Sequence, residues 1–101
     1  MTTVVNFKTE PCDVKICRTP KNEIPDPPAP GCFGNPFPVE KHGREKCIEL
    51  YEDYFFHRVL NDEKFRNAVL ELRGKKLGCF CKPLPCHGDV IKEWLDSYFG
   101  D

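Results

Sequence analysis

Residues 75–98, KKLGCFCKPLPCHGDVIKEWLDSY, join a short apolar run to an amphipathic pattern. Residues 75–81 predict a strand. After two prolines, apolar residues recur at helical spacing from Val90 onward, and Asp89 is a suitable N-cap residue. The stretch therefore predicts a strand, a stiff turn and a terminal helix.

The rest of the chain adds two strands and two helices to this unit. Residues 4–7 and 13–17 are short β-branched runs and predict strands. Apolar positions in 44–60 follow helical spacing, and a second helix is predicted to begin after Asn61. The order predicts an α/β fold in a single small domain, 1–101, with a short mixed sheet flanked by about three helices.

A proline-rich stretch at about 19–38 interrupts this pattern. It contains seven of the ten prolines in the chain, which excludes a regular helix. We expect a loop insertion that lies over the surface, partly as polyproline II, and we expect residues 19–31 to contribute little to the core. The same composition suits a recognition segment for a protein partner.

Composition limits the class of protein. Fifteen basic and sixteen acidic residues give a net charge of -1, which provides no general attraction to nucleic acid or anionic membranes. The start, MTTVVNFKTE, lacks the features of a signal peptide, and no apolar run is long enough to span a bilayer. We therefore expect a cytoplasmic protein that does not bind membranes. In that compartment, seven cysteines favour metal or thiol chemistry over a disulfide framework.

Four of the donor side chains are concentrated between Cys79 and His87. Cys79 and Cys81 are two residues apart in a predicted strand, so their side chains share a face. Cys86 and His87 lie just before the last helix, whose positive end favours a thiolate. These four residues predict a metal site, with zinc favoured and an iron–sulfur cluster as an alternative. Further ligands could come from Cys12, Cys17, Cys32 and His42.

Two other interpretations of the same residues stay open. In the first, the protein is an enzyme that acts on a nucleotide or nucleic acid, although the net charge gives this no support. Cys86 or Cys81 would be the nucleophile, His87 the general base, and Arg18 and Asn35 would hold the substrate. In the second, the buried cysteines are small apolar core residues and His87 helps to cap the helix.

The chain resembles a family of short prokaryotic and phage proteins of unknown function. The resemblance rests on an N-terminal VVN strand, a GNPF turn at 34–37 and a C-terminal GCxCxPxPCHGD pattern at 78–89. It implies no established activity, and it implies a glycine before Arg18, where this chain has Cys17. The residues that it marks are Asn6, Arg18, Asn35, Pro36, Phe37, Cys79, Cys81, Cys86, His87, Gly88 and Asp89.

Overall fold

The computed structural model describes residues 2–17, 24–27, 29–37, 39–80, 82 and 84–100. The described strands are β1 (Thr3–Asn6), β2 (Val14–Lys15) and β3 (Lys76–Cys79). The helices are a 3-10 helix (Pro30–Phe33), α1 (Val39–His42), α2 (Arg44–Asn61), α3 (Glu63–Leu70) and α4 (His87–Phe99). The predicted α/β class is confirmed.

The three described strands form one parallel sheet in the order β1, β3, β2. Leu77, at the centre, pairs with Val4 on one side and with Val14 on the other. We expected a mixed sheet, and the difference lies in residues 7–13. This segment runs back along the sheet, so β2 begins at the same end as β1 and points in the same direction.

The returning segment crosses β3 closely at Gly78. A Cβ atom at Gly78 would lie 2.5 Å from Cys12 Sγ and 3.1 Å from the Cβ of Phe7. Both distances are shorter than ordinary contacts between side chains. The sheet therefore requires a residue without a side chain at Gly78, where the chain passes over its own central strand.

A group of aromatic side chains in the core joins the helices to one another. Tyr51, Phe55 and Phe65 are fully buried. The Phe55 ring lies 5.7 Å from the Phe65 ring of α3 and 5.9 Å from the Trp94 ring of α4, measured between centroids. Each buried phenylalanine contributes about 1.5–3 kcal/mol through removal of apolar surface from water. The predicted apolar stripe of α2 is confirmed at its buried positions Tyr51, Phe55 and Val59.

Part of the proline-rich stretch belongs to the core, which corrects the expectation of a purely surface insertion. Cys32 and Phe33 are buried, and Phe33 packs against Phe65 with ring centroids 6.0 Å apart. The Tyr51 hydroxyl also donates a hydrogen bond to the Phe33 carbonyl, at 2.9 Å. The 3-10 turn brings these two residues inward despite the surrounding prolines. Residues 18–23, 28 and 38 lie outside the described residues.

Two helix starts differ from the sequence prediction. Asp62, rather than Asn61, caps α3, because its Oδ1 accepts a hydrogen bond from the Phe65 amide at 3.1 Å. The N-cap residue of α4 is Cys86, and Asp89 lies inside the first turn. An aspartate is favourable at either position, so residue type alone does not separate the two. None of the described helices combines the length and apolar composition needed to span a bilayer.

We expect Gly78→Ala to destabilise the protein by about 1–3 kcal/mol, the usual cost of overpacking. The added methyl group would meet Cys12 and Phe7 at distances that require the crossing segment to move. Chemical denaturation would measure the change. Adding Cys12→Ala removes the nearest sulfur and should recover part of the loss. Equal stability of Gly78→Ala and the wild-type chain would contradict the close crossing.

Candidate functional site

Two cysteines meet at the carboxyl edge of the sheet. Cys79 is the last residue of β3, and Cys86 immediately precedes α4. Their Sγ atoms lie 3.1 Å apart, and both residues are buried. The carboxyl ends of parallel strands are the usual location of ligand sites in open α/β sheets. We call these residues the thiol pair.

The loop 80–85 joins the two members of the thiol pair, and its residue Lys82 is bonded to both β1 and α4. Asn6, at the end of β1, donates from Nδ2 to the Lys82 carbonyl at 2.9 Å. The Lys82 ammonium lies 2.5 Å from Asp89 Oδ1, and the other oxygen of Asp89 accepts from the Cys86 amide at 3.2 Å. Burial is the largest single effect and lowers the pKa of Lys82, but the hydrogen bond to Asp89 and the charges of Asp89, Cys86 and Cys79 together outweigh it and raise the lysine pKa. The loop therefore rests on an ionic contact with α4.

His87 connects the start of α4 to the end of β2. Its Nε2 donates to the Ile16 carbonyl at 2.8 Å, because a carbonyl oxygen can only accept. In the neutral ring, Nδ1 then carries the lone pair. The ring also meets Tyr51 edge-on at 5.0 Å between centroids. Gly88 allows the start of α4 to lie close to the sheet, since a Cβ at Gly88 would lie 2.8 Å from Ile16 Cδ1 and 2.9 Å from Val4 Cγ1.

A cavity of about 340 Å³ opens beside the thiol pair. Its volume is within the range of small-molecule sites. Arg44 lines this cavity, and its guanidinium donates a hydrogen bond to the Pro85 carbonyl at 3.1 Å. No sequence pattern marks Arg44, because its role depends on a loop 41 residues away. The side chains that line the cavity include Asn35, Phe37, Arg44, Cys79, Cys86 and His87.

Asn35 lines the cavity but is also part of a turn that packs on α2. Its Oδ1 accepts from the Phe37 amide at 2.9 Å, and its Nδ2 donates to Cys47 Sγ at 3.0 Å. Cys47 in turn donates from Sγ to the Phe37 carbonyl at 2.8 Å. Asn35 and Cys47 therefore hold the GNPF turn against the helix. This accounts for both residues without a substrate.

Ionisation of the thiol pair is electrostatically unfavourable. The hydrogen bond between Cys79 and Cys86 raises the pKa of Cys86 strongly, and burial and the charge of Cys79 add to this effect. The Gly88 amide acts in the opposite direction but is weaker. The protonated form of Cys86 is therefore favoured, and either sulfur can donate in the contact between the two thiols. This outcome reverses the expectation that the helix end would make Cys86 a ready thiolate.

The structure brings together four of the predicted site residues: Cys79, Cys86, His87 and Asn35. Arg18 and Cys81 lie outside the described residues. Among the described residues, no group of three or more histidine, cysteine, aspartate or glutamate side chains is arranged to hold a metal ion. The other proposed ligands are divided: Cys17 lines the cavity, Cys12 packs over Gly78, Cys32 is in the core, and His42 lies against Phe37.

The fold and site define a small parallel α/β domain with a buried thiol pair in a cleft at its carboxyl edge. The chain belongs to the family described as a domain of unknown function (DUF4326), whose profile matches residues 3–97. This confirms the resemblance to a family of unknown function. An uncharacterized 12.4 kDa protein from the nrdA-td intergenic region of Enterobacteria phage T4 is 39% identical over 69 residues. The match covers 68% of this chain and 64% of that protein. No solved structure matches the chain.

We expect Cys47→Ala to cost about 1–3 kcal/mol of stability, because it leaves the Phe37 carbonyl and the Asn35 amide without their shared partner. Cys47→Ser should cost less, since a hydroxyl can replace both hydrogen bonds. Urea denaturation of the two variants tests the difference. Equal losses for alanine and serine would show that Cys47 contributes only apolar volume.

Proposed function

We propose that this domain binds a metal ion, most favourably zinc, through thiolates at the carboxyl edge of its sheet. The observation that carries the proposal is the buried contact between Cys79 Sγ and Cys86 Sγ, 3.1 Å apart. Cys81 follows β3 by two residues and would supply a third thiolate. The biological role of such a site is not assigned by the family.

The spacing of the thiol pair is close to what zinc requires. Two thiolates bound to one tetrahedral zinc at about 2.3 Å are about 3.8 Å apart. Cys79 and Cys86 would need to separate by less than about 1 Å from their present 3.1 Å. Their elements already bring the sulfurs together from opposite ends of a loop, so most of the ordering cost is met by the fold.

Electrostatics supports a cation at this position. Repulsion between the two thiolates opposes the ionisation of both buried thiols, and the pKa of Cys86 is accordingly raised. A divalent cation would favour loss of both protons and would offset the repulsion between two thiolates. The chemistry of the donor set therefore fits a metal better than two independent free thiols.

His87 has the hydrogen bonding expected of a histidine near zinc. A metal-bound histidine usually donates its other ring N–H to a carboxylate or a backbone carbonyl. His87 makes such a bond from Nε2 to the Ile16 carbonyl. We propose that it either supplies Nδ1 as a ligand or fixes the start of α4 beside the thiol pair. Three cysteines in the segment suit zinc better than a cluster held by four thiolates.

Protein purified without oxygen in a reducing buffer should contain about one zinc per chain by elemental analysis. Cys79→Ser and Cys86→Ser should each lower zinc affinity by more than about tenfold. The loss of a direct ligand should exceed the usual loss of affinity when a residue that only hydrogen-bonds to a ligand is replaced. Cys47→Ser is the matched control and should retain metal. Competition with a chromophoric chelator measures affinity in the wild-type chain even if a variant fails to fold. A chain that takes up no zinc, and whose unfolding temperature is unchanged by chelator, would refute the proposal.

A second candidate function is favoured by the cavity itself. A space of about 340 Å³ with Arg44 at one wall fits a small anionic ligand such as a nucleotide. In this enzyme, a cysteine of the segment would be the nucleophile and His87 the general base. Cys86 is a poor choice because its pKa is strongly raised, so Cys79 or Cys81 would attack. The role of Arg18 and of the proline-rich stretch in binding stays a prediction.

Metal-free protein separates these two functions by thiol reactivity. Under the enzyme proposal, one cysteine between 79 and 86 should react with iodoacetamide much faster than the others, and a bound nucleotide should protect it. Mass spectrometry of briefly labelled protein identifies the residue. Arg44→Ala should weaken that protection, whereas Lys46→Ala, on the same helix, should not. Uniformly slow labelling without protection would reject the enzyme proposal.

A further inference from the structure

The thiol pair is also close to the geometry of a covalent bond. A disulfide requires the two sulfurs to lie about 2.05 Å apart, and Cys79 Sγ and Cys86 Sγ are separated by 3.1 Å. A relative movement of about 1 Å would close the bond. The two residues belong to different elements, the end of β3 and the start of α4, so such a bond would link the sheet directly to the helix.

We propose that Cys79 and Cys86 form a reversible disulfide and that a small-molecule disulfide of the glutathione type is the oxidant. This inference deepens the proposed function, because the same bond would remove two thiolates from the metal site. Only that consequence rests on metal binding. The pairing itself rests on the sulfur contact and on the cavity that both residues line.

The reaction balances as two thiol–disulfide exchanges. In the first, the thiolate of one cysteine attacks a sulfur of the oxidant, which forms a mixed disulfide and releases one small thiol. In the second, the other cysteine loses its proton and attacks the protein sulfur of that mixed disulfide, which releases the second small thiol. Two protein thiols are oxidised, and one small disulfide is reduced to two thiols.

The structure gives a reason for this pair to react in preference to other cysteines. Cys47 Sγ is placed between Asn35 and the Phe37 carbonyl on α2. Cys32 is fully buried in the core and is not among the residues that line the cavity. Cys79 and Cys86 line the same cavity as Cys17 and Cys47, and the sulfur atoms of the thiol pair are in contact with each other. Oxidation should therefore concentrate at the thiol pair.

The test treats the reduced, full chain with excess oxidised glutathione, blocks remaining thiols with one alkylating reagent, reduces, and labels the released thiols with a second. Fragment spectra should place the second label on Cys79 and Cys86, and dithiothreitol should reverse the reaction. Cys86→Ser should stop at a stable glutathione adduct on Cys79, because the second attacking thiol is missing. Cys47→Ser should give the same disulfide as the wild-type chain.

Several outcomes would overturn the inference. One is a disulfide that joins Cys81 to either member of the pair, which Cys81→Ser would reveal by abolishing it. Another is the absence of any intramolecular disulfide while the adduct accumulates. Zinc measurement on the same samples separates the two proposals. A disulfide in a chain that never binds zinc supports the redox pair and rejects the metal site, and zinc binding without a disulfide does the reverse.

Discussion

The parallel pairing of β3 with β1 on one side and β2 on the other is the constraint on which the rest of the structure depends. It places the ends of all three strands at one edge, and the last residue of the central strand is Cys79. For β2 to run parallel to β1 after so short a connection, residues 7–13 must cross the central strand. Gly78 makes that crossing possible because it presents no side chain to Cys12. The sheet therefore requires a glycine immediately before Cys79, and the site is built at the carboxyl end of the same strand.

The surroundings of the thiol pair are held largely by bonds to the backbone. Asn6 donates to the Lys82 carbonyl, Arg44 to the Pro85 carbonyl and His87 to the Ile16 carbonyl. Each bond joins an element of the scaffold to a loop or a strand end near the cavity. The scaffold therefore fixes the positions of the sulfur atoms, so binding or reaction would cost little further conformational entropy. This is the arrangement expected of a preorganised site.

The two proposals give the thiol pair three alternative states: two sulfurs that share a proton, two thiolates that bind a cation, or a disulfide. The pKa of Cys86 is strongly raised, so removal of the second proton from the thiol pair is electrostatically unfavourable. Metal binding would have to displace that proton, so affinity would fall as pH falls. Oxidation would remove both ligands together. The three states exclude one another, which means that a single measurement of free thiols responds to all of them.

The sequence by itself determined the α/β class, the apolar stripe of α2 and the concentration of sulfur between Cys79 and Cys86, because each is expressed in local spacing. It misplaced the starts of α3 and α4, since aspartate suits more than one position in a first turn. Only the tertiary structure decided the direction of the strands, the burial of Phe33, the cavity and the contact of Arg44 with the loop. These features depend on residues far apart in the chain: the bond from Asn6 reaches 76 positions along it and that from His87 reaches 71. The spacing of residues within one element cannot predict such a contact, because the contact forms only when separate elements pack together.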